Sequence, residues 1–295
     1  MYELHQVGDN TFYIDCPAKM GVYRTAPDEA VLIDSGNDKE AGKKALRRFE
    51  EQGWRLRAVY STHSNADHIG GNNLLAARTG CPLYAAGLEA AFTRTPILEP
   101  SFLYGGYPPK ALRNKFLMAQ PSEALPLTPD VLPQGLSSFP LPGHFFDMVG
   151  FRTDDGVVFA ADALVGGATL EKYHVSFVYD VRAYLDSLDS LCAMEASLFV
   201  PSHAEPVTDI APLAAQNRQK IEELLHLIPT LSHGEPATFE ELLCLLFTHY
   251  GLEIDFNQYV LVGSTLRSYL AYLLDTGRMT ASFSQNRLLW APAQS

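Results

Sequence analysis

His63-Ser64-Asn65-Ala66-Asp67-His68-Ile69-Gly70-Gly71 follows a strand-like apolar run at residues 56–60 and opens a helix-like segment. A tight loop at a strand end can aim several side chains at one point, which is where layered α/β proteins place their ligands. Neutral imidazole nitrogens and carboxylate oxygens at this spacing suit Zn, Mn or Fe. Three further donors stand at the ends of other strand-like runs. His144 closes Leu141-Pro142-Gly143-His144, Asp162 follows the run 157–161, and His203 follows Leu198-Phe199-Val200-Pro201-Ser202.

Outward from the loop, the pattern is one of alternating elements. Thr11 to Ile14 and Met20 to Tyr23 read as short strands, and Ala30-Val31-Leu32-Ile33 as a strand buried on both faces, ending in the turn Asp34-Ser35-Gly36. Ala41, Ala45, Leu46 and Phe49 recur at helical spacing before Gly53. Strand–helix–strand units of this kind predict layered packing of helices on sheets. Residues 93–134 lose the period and are rich in Pro and Tyr, which marks an insertion with one helix around Lys110 to Met118. Strands return at 135–141, 147–152 and 157–161, and helices at 181–194 and 210–228 flank the strand 198–200. After a pause at Gly234-Glu235-Pro236, the spacing predicts helices at 239–250, 257–262 and 265–274, then a hairpin.

With 295 residues, 47% hydrophobic and 19% charged, the chain has ample material for a core. A formal net charge of −12 opposes general affinity for nucleic acid or anionic membranes. The longest apolar runs, 242–247 and 269–274, are far short of the ~20 residues that a membrane helix needs. The N-terminus shows no basic region followed by an apolar stretch. Cys16, Cys81, Cys192 and Cys244 have no CxxC spacing and read as free thiols. A soluble, cytoplasmic protein with no membrane partner is the expectation.

The loop and the order Asp34, His63 to His68, His144, Asp162 and His203 resemble the metallo-β-lactamase superfamily, whose hallmark is a His-x-His-x-Asp-His loop followed by His, Asp and His. The resemblance implies an α+β fold, an αββα sandwich over residues 1–228 with the insertion at about 93–134. The segment 237–295 resembles a small winged-helix-like domain. It further implies Zn as one or two ions, with Fe or Mn as alternatives, and a metal-dependent hydrolase closest in character to the glyoxalase II-like thioesterases. One ion would be held by His63, His144 and Asp162, with Asn65 in the place of the family's second His. The other would be held by Asp67, His68, His203 and the shared Asp162. Asp34 would be a buried carboxylate behind the ligands that organises their loop. Asp67 is the expected catalytic carboxylate, orienting the metal-activated water and passing its proton to the leaving group.

Asn65 departs from the family pattern. Its amide oxygen is a weaker donor to Zn than imidazole, and its other reading is a loop residue bonded to nearby backbone. The remaining histidines, His5, His174, His226, His233 and His249, belong to no motif. The ligands do not choose among ester, thioester, lactam, lactone and phosphodiester bonds. Residues 93–116 carry Arg94, Lys110, Arg113 and Lys115 against Glu99, which reads either as a lid over an anionic small-molecule substrate or as a solvated face. Two rival functions stand beside hydrolysis. The set His63, His144 and Asp162 suits a non-haem iron oxygenase, and the tail suits a non-enzymatic nucleic-acid-binding regulator. Against the latter, residues 231–295 hold Arg267, Arg278 and Arg287 against six carboxylates. A packing or homodimerising role for the tail fits that balance better.

Overall fold

The computed structural model describes residues 2–293. Strands β1 (Glu3–Gln6), β2 (Thr11–Asp15), β3 (Met20–Ala26) and β4 (Glu29–Ile33) form an antiparallel meander. Helix α1 (Lys39–Gln52) returns the chain so that β5 (Arg55–Ser61) pairs parallel to β4. Asp38 caps α1 by accepting from the amides of Glu40 and Ala41, and Gly53 closes it in the left-handed conformation. Helices α2 (Ala66–Ile69) and α3 (Asn72–Thr79) precede β6 (Leu83–Ala85). Helices α4 (Gly87–Arg94) and α5 (Leu98–Tyr104) precede β7 (Ala124–Pro126), completing a seven-stranded sheet in sequential order.

The second sheet holds β8 (Leu136–Pro140), β9 (Val149–Thr153) and β10 (Val157–Val165). After α6 (Gly167–Tyr173) and α7 (Val181–Cys192) it adds β11 (Leu198–His203), giving the order β11-β10-β9-β8. Helices α8 (Ala211–Leu227), α9 (Phe239–Tyr250) and α10 (Phe256–Asp275) and the hairpin β12 (Met279–Ser284) and β13 (Arg287–Pro292) complete the chain.

Strand alternation shows how the layers stack. In β4, Ala30 and Leu32 face α1 and α3 with Phe49 and Leu75, whereas Val31 and Ile33 face the other sheet with Phe151 and Phe159. In β10, Val157 and Phe159 face that same middle layer, while Val158 and Ala160 face α7 and α8. The result is helix, sheet, sheet, helix, the αββα layering that the resemblance implies. Gly21 lets the sheets approach, since a Cβ there would lie 2.8 Å from the Phe159 ring.

Several elements differ from the sequence expectation, among them α5 and β7, which lie in the segment 93–134 expected to hold a single helix. The strand expected at 157–161 runs on to Val165, because a bulge interrupts its pairing at Ala161 without ending it. The helix expected around Lys110 to Met118 is only a 3-10 turn, Lys110–Leu112. Pro109 precedes it, and the Asn114 side chain bonds the Ala111 carbonyl and the Phe116 amide in competition with a helical ladder. The two helices expected at 257–262 and 265–274 are one, capped by Asp255. Its buried face, Val260, Gly263, Leu266, Leu270 and Leu273, passes through the glycine without a break.

The C-terminal helices share the core outside the second sheet. Leu242, Leu246, Leu266 and Leu270 pack in one cluster with Val158, Leu188 and Ile221. Leu270, wholly buried, tests this. Leu270→Ala should cost about 2–5 kcal/mol and lower the melting temperature of the whole chain in one transition. Calorimetry showing two transitions, only one of them moved, would contradict the shared core.

Candidate metal centre

All the donors singled out in the sequence meet at one end of the sandwich. Parallel β4 and β5 end beside each other, delivering Asp34 and the 63–68 loop, and parallel β10 and β11 deliver Asp162 and His203. His144 comes from the turn between β8 and β9. The loop is short because His68 lies on α2, whose close seat needs Gly70. A Cβ at Gly70 would lie 2.3 Å from the Asn37 carbonyl carbon.

Donor atoms from His63, His144 and Asp162 lie within 4.8 Å of one another, as do those from Asp67, His68 and His203. Asp162 joins the two groups. Its Oδ1 is 3.3 Å from His68 Nε2, and its Oδ2 is 3.2 Å from His203 Nε2 and 3.7 Å from His144 Nε2. Asp67 Oδ2 lies 3.2 Å from His203 Nε2. The bulge that re-aims Asp162 places Ala161 at φ +50°, a strained setting for a residue with a side chain.

The ring tautomers follow from what each Nδ1 faces. His68 Nδ1 donates to Asp34 Oδ2 at 2.9 Å, His203 Nδ1 to the Pro17 carbonyl at 2.8 Å, and His144 Nδ1 to the Phe177 carbonyl at 3.1 Å. The Thr62 hydroxyl donates to Asp34 Oδ2 at 2.8 Å, so at 3.0 Å it accepts from His63 Nδ1. Every Nε2 therefore points into the same space. His63 Nε2, His68 Nε2 and Asp162 Oδ1 are buried without a hydrogen-bond partner. Buried polar atoms without partners are costly, and a convergent set of imidazole nitrogens and carboxylate oxygens is what a divalent ion would satisfy. The residues present fit such an ion.

The Asn65 side chain does not bond nearby backbone. The residue stands at the N-cap of α2, but its side chain makes no capping bond. Its Nδ2 donates to Glu99 Oε1 at 2.9 Å, leaving Oδ1 facing His144 Nε2 at 3.1 Å. With Nδ1 of His144 already donating to Phe177, two acceptors face each other there, a repulsive arrangement that a cation between them relieves.

Two buried carboxyls that hold this loop leave no signal in the sequence. Glu89 on α4 is 0% exposed and accepts from the Ser64 amide and hydroxyl and from the Asp147 amide, tying the ligand loop to the turn that carries His144. Burial pushes its carboxyl up to about 7. Burial likewise raises Glu99 well above the usual carboxyl range. Glutamates on short helices read from sequence as a solvent face, and only tertiary packing reveals otherwise.

Charge within the centre is uneven. Burial holds the imidazoles of His63 and His144 below their ordinary range. At His68 and His203 burial also opposes a proton, but neighbouring Asp162 and Asp67 outweigh it, raising His68 and pushing His203 up to about 10. A divalent ion must therefore displace protons from these two rings, so its affinity should fall as pH falls and binding near pH 7 should release about two protons. Calorimetry in buffers of different ionisation enthalpy reads that number, and no buffer dependence would refute it. Asp34 offers a second test. Its two oxygens take three donors, Thr62 N at 2.7 Å, the Thr62 hydroxyl and His68 Nδ1. An amide has a single acceptor atom, so Asp34→Asn leaves a donor unpaired and should weaken metal binding about 10–100-fold. Unchanged affinity would remove Asp34 from this role.

A cavity of about 550 Å³ opens onto the donors, and Asp67, Asn65, His144 and Asp162 are among its lining residues. Of the four basic residues of the insertion, Lys115 alone lines it, with its ammonium 3.7 Å from Asp38. Arg94 instead donates to the Ala124 carbonyl, and Arg113 to the Tyr107 hydroxyl.

The profile described as "Metallo-beta-lactamase superfamily" matches residues 14–203, which include every donor named above. The "Probable metallo-hydrolase YflN" of Bacillus subtilis (strain 168) is 25% identical over 224 residues, covering 68% of this chain and 81% of that protein. Among solved structures, the metallo-beta-lactamase family protein TTHA1429 of Thermus thermophilus superposes with a TM-score of 0.72 at 21% identity, over 96% of this chain and 97% of that one. A beta-lactamase domain protein from Burkholderia ambifaria gives 0.71 at 19% identity, over 99% and 94%. Those two likenesses concern the fold. The profile match spans well over half of the chain, and the chain belongs to the metallo-β-lactamase superfamily.

Proposed function

We propose that this metallo-hydrolase uses two divalent ions, zinc in the first instance, to cleave an ester, thioester or related acyl bond of a small molecule with water. His63, His144 and Asp162, with the amide oxygen of Asn65, would hold one ion, and Asp67, His68, His203 and Asp162 the other. The observation that carries the reading is the convergence of four imidazole Nε2 atoms from rings whose Nδ1 atoms are all engaged elsewhere. When bound, such ions polarise the scissile oxygen and make water acidic enough to serve as a nucleophile at neutral pH.

The chain's own residues do the rest. The Asp67 carboxylate is 42% exposed and lines the cavity, within reach of a water and of a leaving group. It accepts the proton of the attacking water, and the leaving group takes that proton as its bond to the acyl carbon breaks. Asp34, Thr62, Pro17 and Phe177 hold the imidazoles still, so little reorganisation is needed as charge develops. An iron oxygenase centred on His63, His144 and Asp162 would leave Asp67, His68 and His203 converging with nothing to bind. Hydrolysis uses both groups.

Purified protein should carry up to two zinc ions per chain and hydrolyse simple aryl esters or thioesters. Asp67→Asn should lower kcat about 10²–10⁴-fold. Oxygen uptake without hydrolysis, with iron the metal found, would overturn the reading. The amide at Asn65 makes its ion the weaker one. Chelator should then strip metal in two steps, and Asn65→His should merge them. Two ions lost together from the unaltered protein would show that Asn65 does not weaken its site.

A further inference from the structure

We infer that the acyl group this site accepts is uncharged and apolar, and that the insertion and the C-terminal helix α10 select it; this rests on the hydrolase reading above. The cavity that takes in the donors is lined largely by apolar surface. Phe116 and Leu117 come from the insertion, Val175 and Phe177 from the segment after α6, and Leu261 and Val262 from α10. A largely apolar lining around a few polar groups is the arrangement that holds an apolar ligand body with its reacting bond at those groups.

Charge narrows the class further. Among the described residues, Lys115 is the sole Lys or Arg in the lining, and Asp38 already sits beside it. The start of α10 adds the carboxylate of Asp255 to the lining, beside the neutral amides of Asn257 and Gln258. A carboxylate at the far end of a substrate would be desolvated near Asp255 with only Lys115 to meet it, whose charge Asp38 already offsets. The rim supports the same reading. Phe116 is 70% exposed and Tyr173 44% exposed, both at the cavity, and an apolar substrate body would cover them.

The wall is a built part of the fold. Leu103, Leu112 and Leu117 pack with Val260 of α10 in one buried cluster. Asn114 Nδ2 donates to Asn257 Oδ1 at 3.1 Å across the same seam. Residues more than a hundred positions from the metal loop therefore shape the space next to it.

Two ester series with the same p-nitrophenol leaving group test the inference, one of neutral alkanoates from acetate to octanoate and one of equal length ending in a carboxylate. kcat/KM should rise about fourfold per added methylene over the first several, and each carboxylate-ended ester should fall at least tenfold below its neutral counterpart. Phe116→Ala, at an exposed position that does not threaten folding, and Leu261→Asp should both lower the octanoate-to-acetate ratio, the second by tenfold or more. The neutral fluorophore N-phenyl-1-naphthylamine should bind the metal-stripped protein and be displaced by 1-octanol. Hydrolysis that is flat with chain length, or faster for the carboxylate-ended series, would overturn the inference and leave the hydrolase standing. Fluorophore binding lost in Leu261→Asp, with no ester or thioester cleaved by any form, would instead sink the hydrolase and keep the apolar site. Neither cleavage nor binding would end both.

Discussion

The Asp34 carboxylate, 1% exposed, governs the geometry of the centre. A buried charge is tolerable only when its lone pairs are used, and here three donors use them. Oδ1 takes the Thr62 amide, while Oδ2 takes the Thr62 hydroxyl and the ring of His68. The hydroxyl in turn receives the ring of His63. One carboxylate thereby sets two imidazoles, one in each donor group. It is delivered by a backbone at φ +60°, a conformation that Asp adopts more readily than most residues. Hydrogen bonds from Ser35 N to the His68 carbonyl and from Gly71 N to Ser35 Oγ close the turn of Asp34 onto the ligand loop.

Two sheets must then be held in register, because Asp34 and the loop stand on one while Asp162 and His203 stand on the other. Val149 N donates to the Thr62 carbonyl at 2.9 Å, and Lys19 N to that of Ser202 at 3.0 Å, joining the sheets at the end where the donors lie. Left-handed backbone at Asp34 and Ala161 costs about 1–3 kcal/mol each. The layer of Val31, Ile33, Phe151, Phe159 and Val200 between the sheets offsets it. Strain and lone-pair repulsion persist here because the surrounding core does not yield. A looser scaffold would let the donors drift apart until each found a partner of its own.

What could be read from the sequence follows from which physical signal each residue leaves there. The four residues 30–33 announce a strand buried on both faces, and the structure divides them between two layers accordingly. The donors are legible because imidazoles and carboxylates at strand ends in a fixed order have few other uses. Ala161 leaves no mark, since nothing in an alanine predicts positive φ, and so the apolar run by itself ends β10 four residues early. Glu89 and Glu99 look like ordinary helix-surface residues until α4 and α5 are seen to turn them inward. Gly263 looks like a break, yet the apolar face continues through it in one helix. Asn65 is legible as a departure, but its engagement with Glu99 depends on an element thirty-four residues away.

Chemistry and selection are separated in this chain. The donors stand on strand ends locked by Asp34, Glu89 and the bonds between sheets, whereas the rest of the cavity is lined largely from residues 115–117, the segment after α6 and the helix α10. That helix also supplies Leu266, Leu270 and Leu273 to the core under the second sheet, so its inner face is fixed by packing. Of its cavity-lining positions Val262 belongs to that core, whereas Leu261 and Gln258 are less buried. Changes there alter what fits against the donors without moving them, because no wall residue of α10 bonds to a ligand's Nδ1. A fold that hosts many acyl chemistries can vary its substrate this way while its metal loop stays as it is.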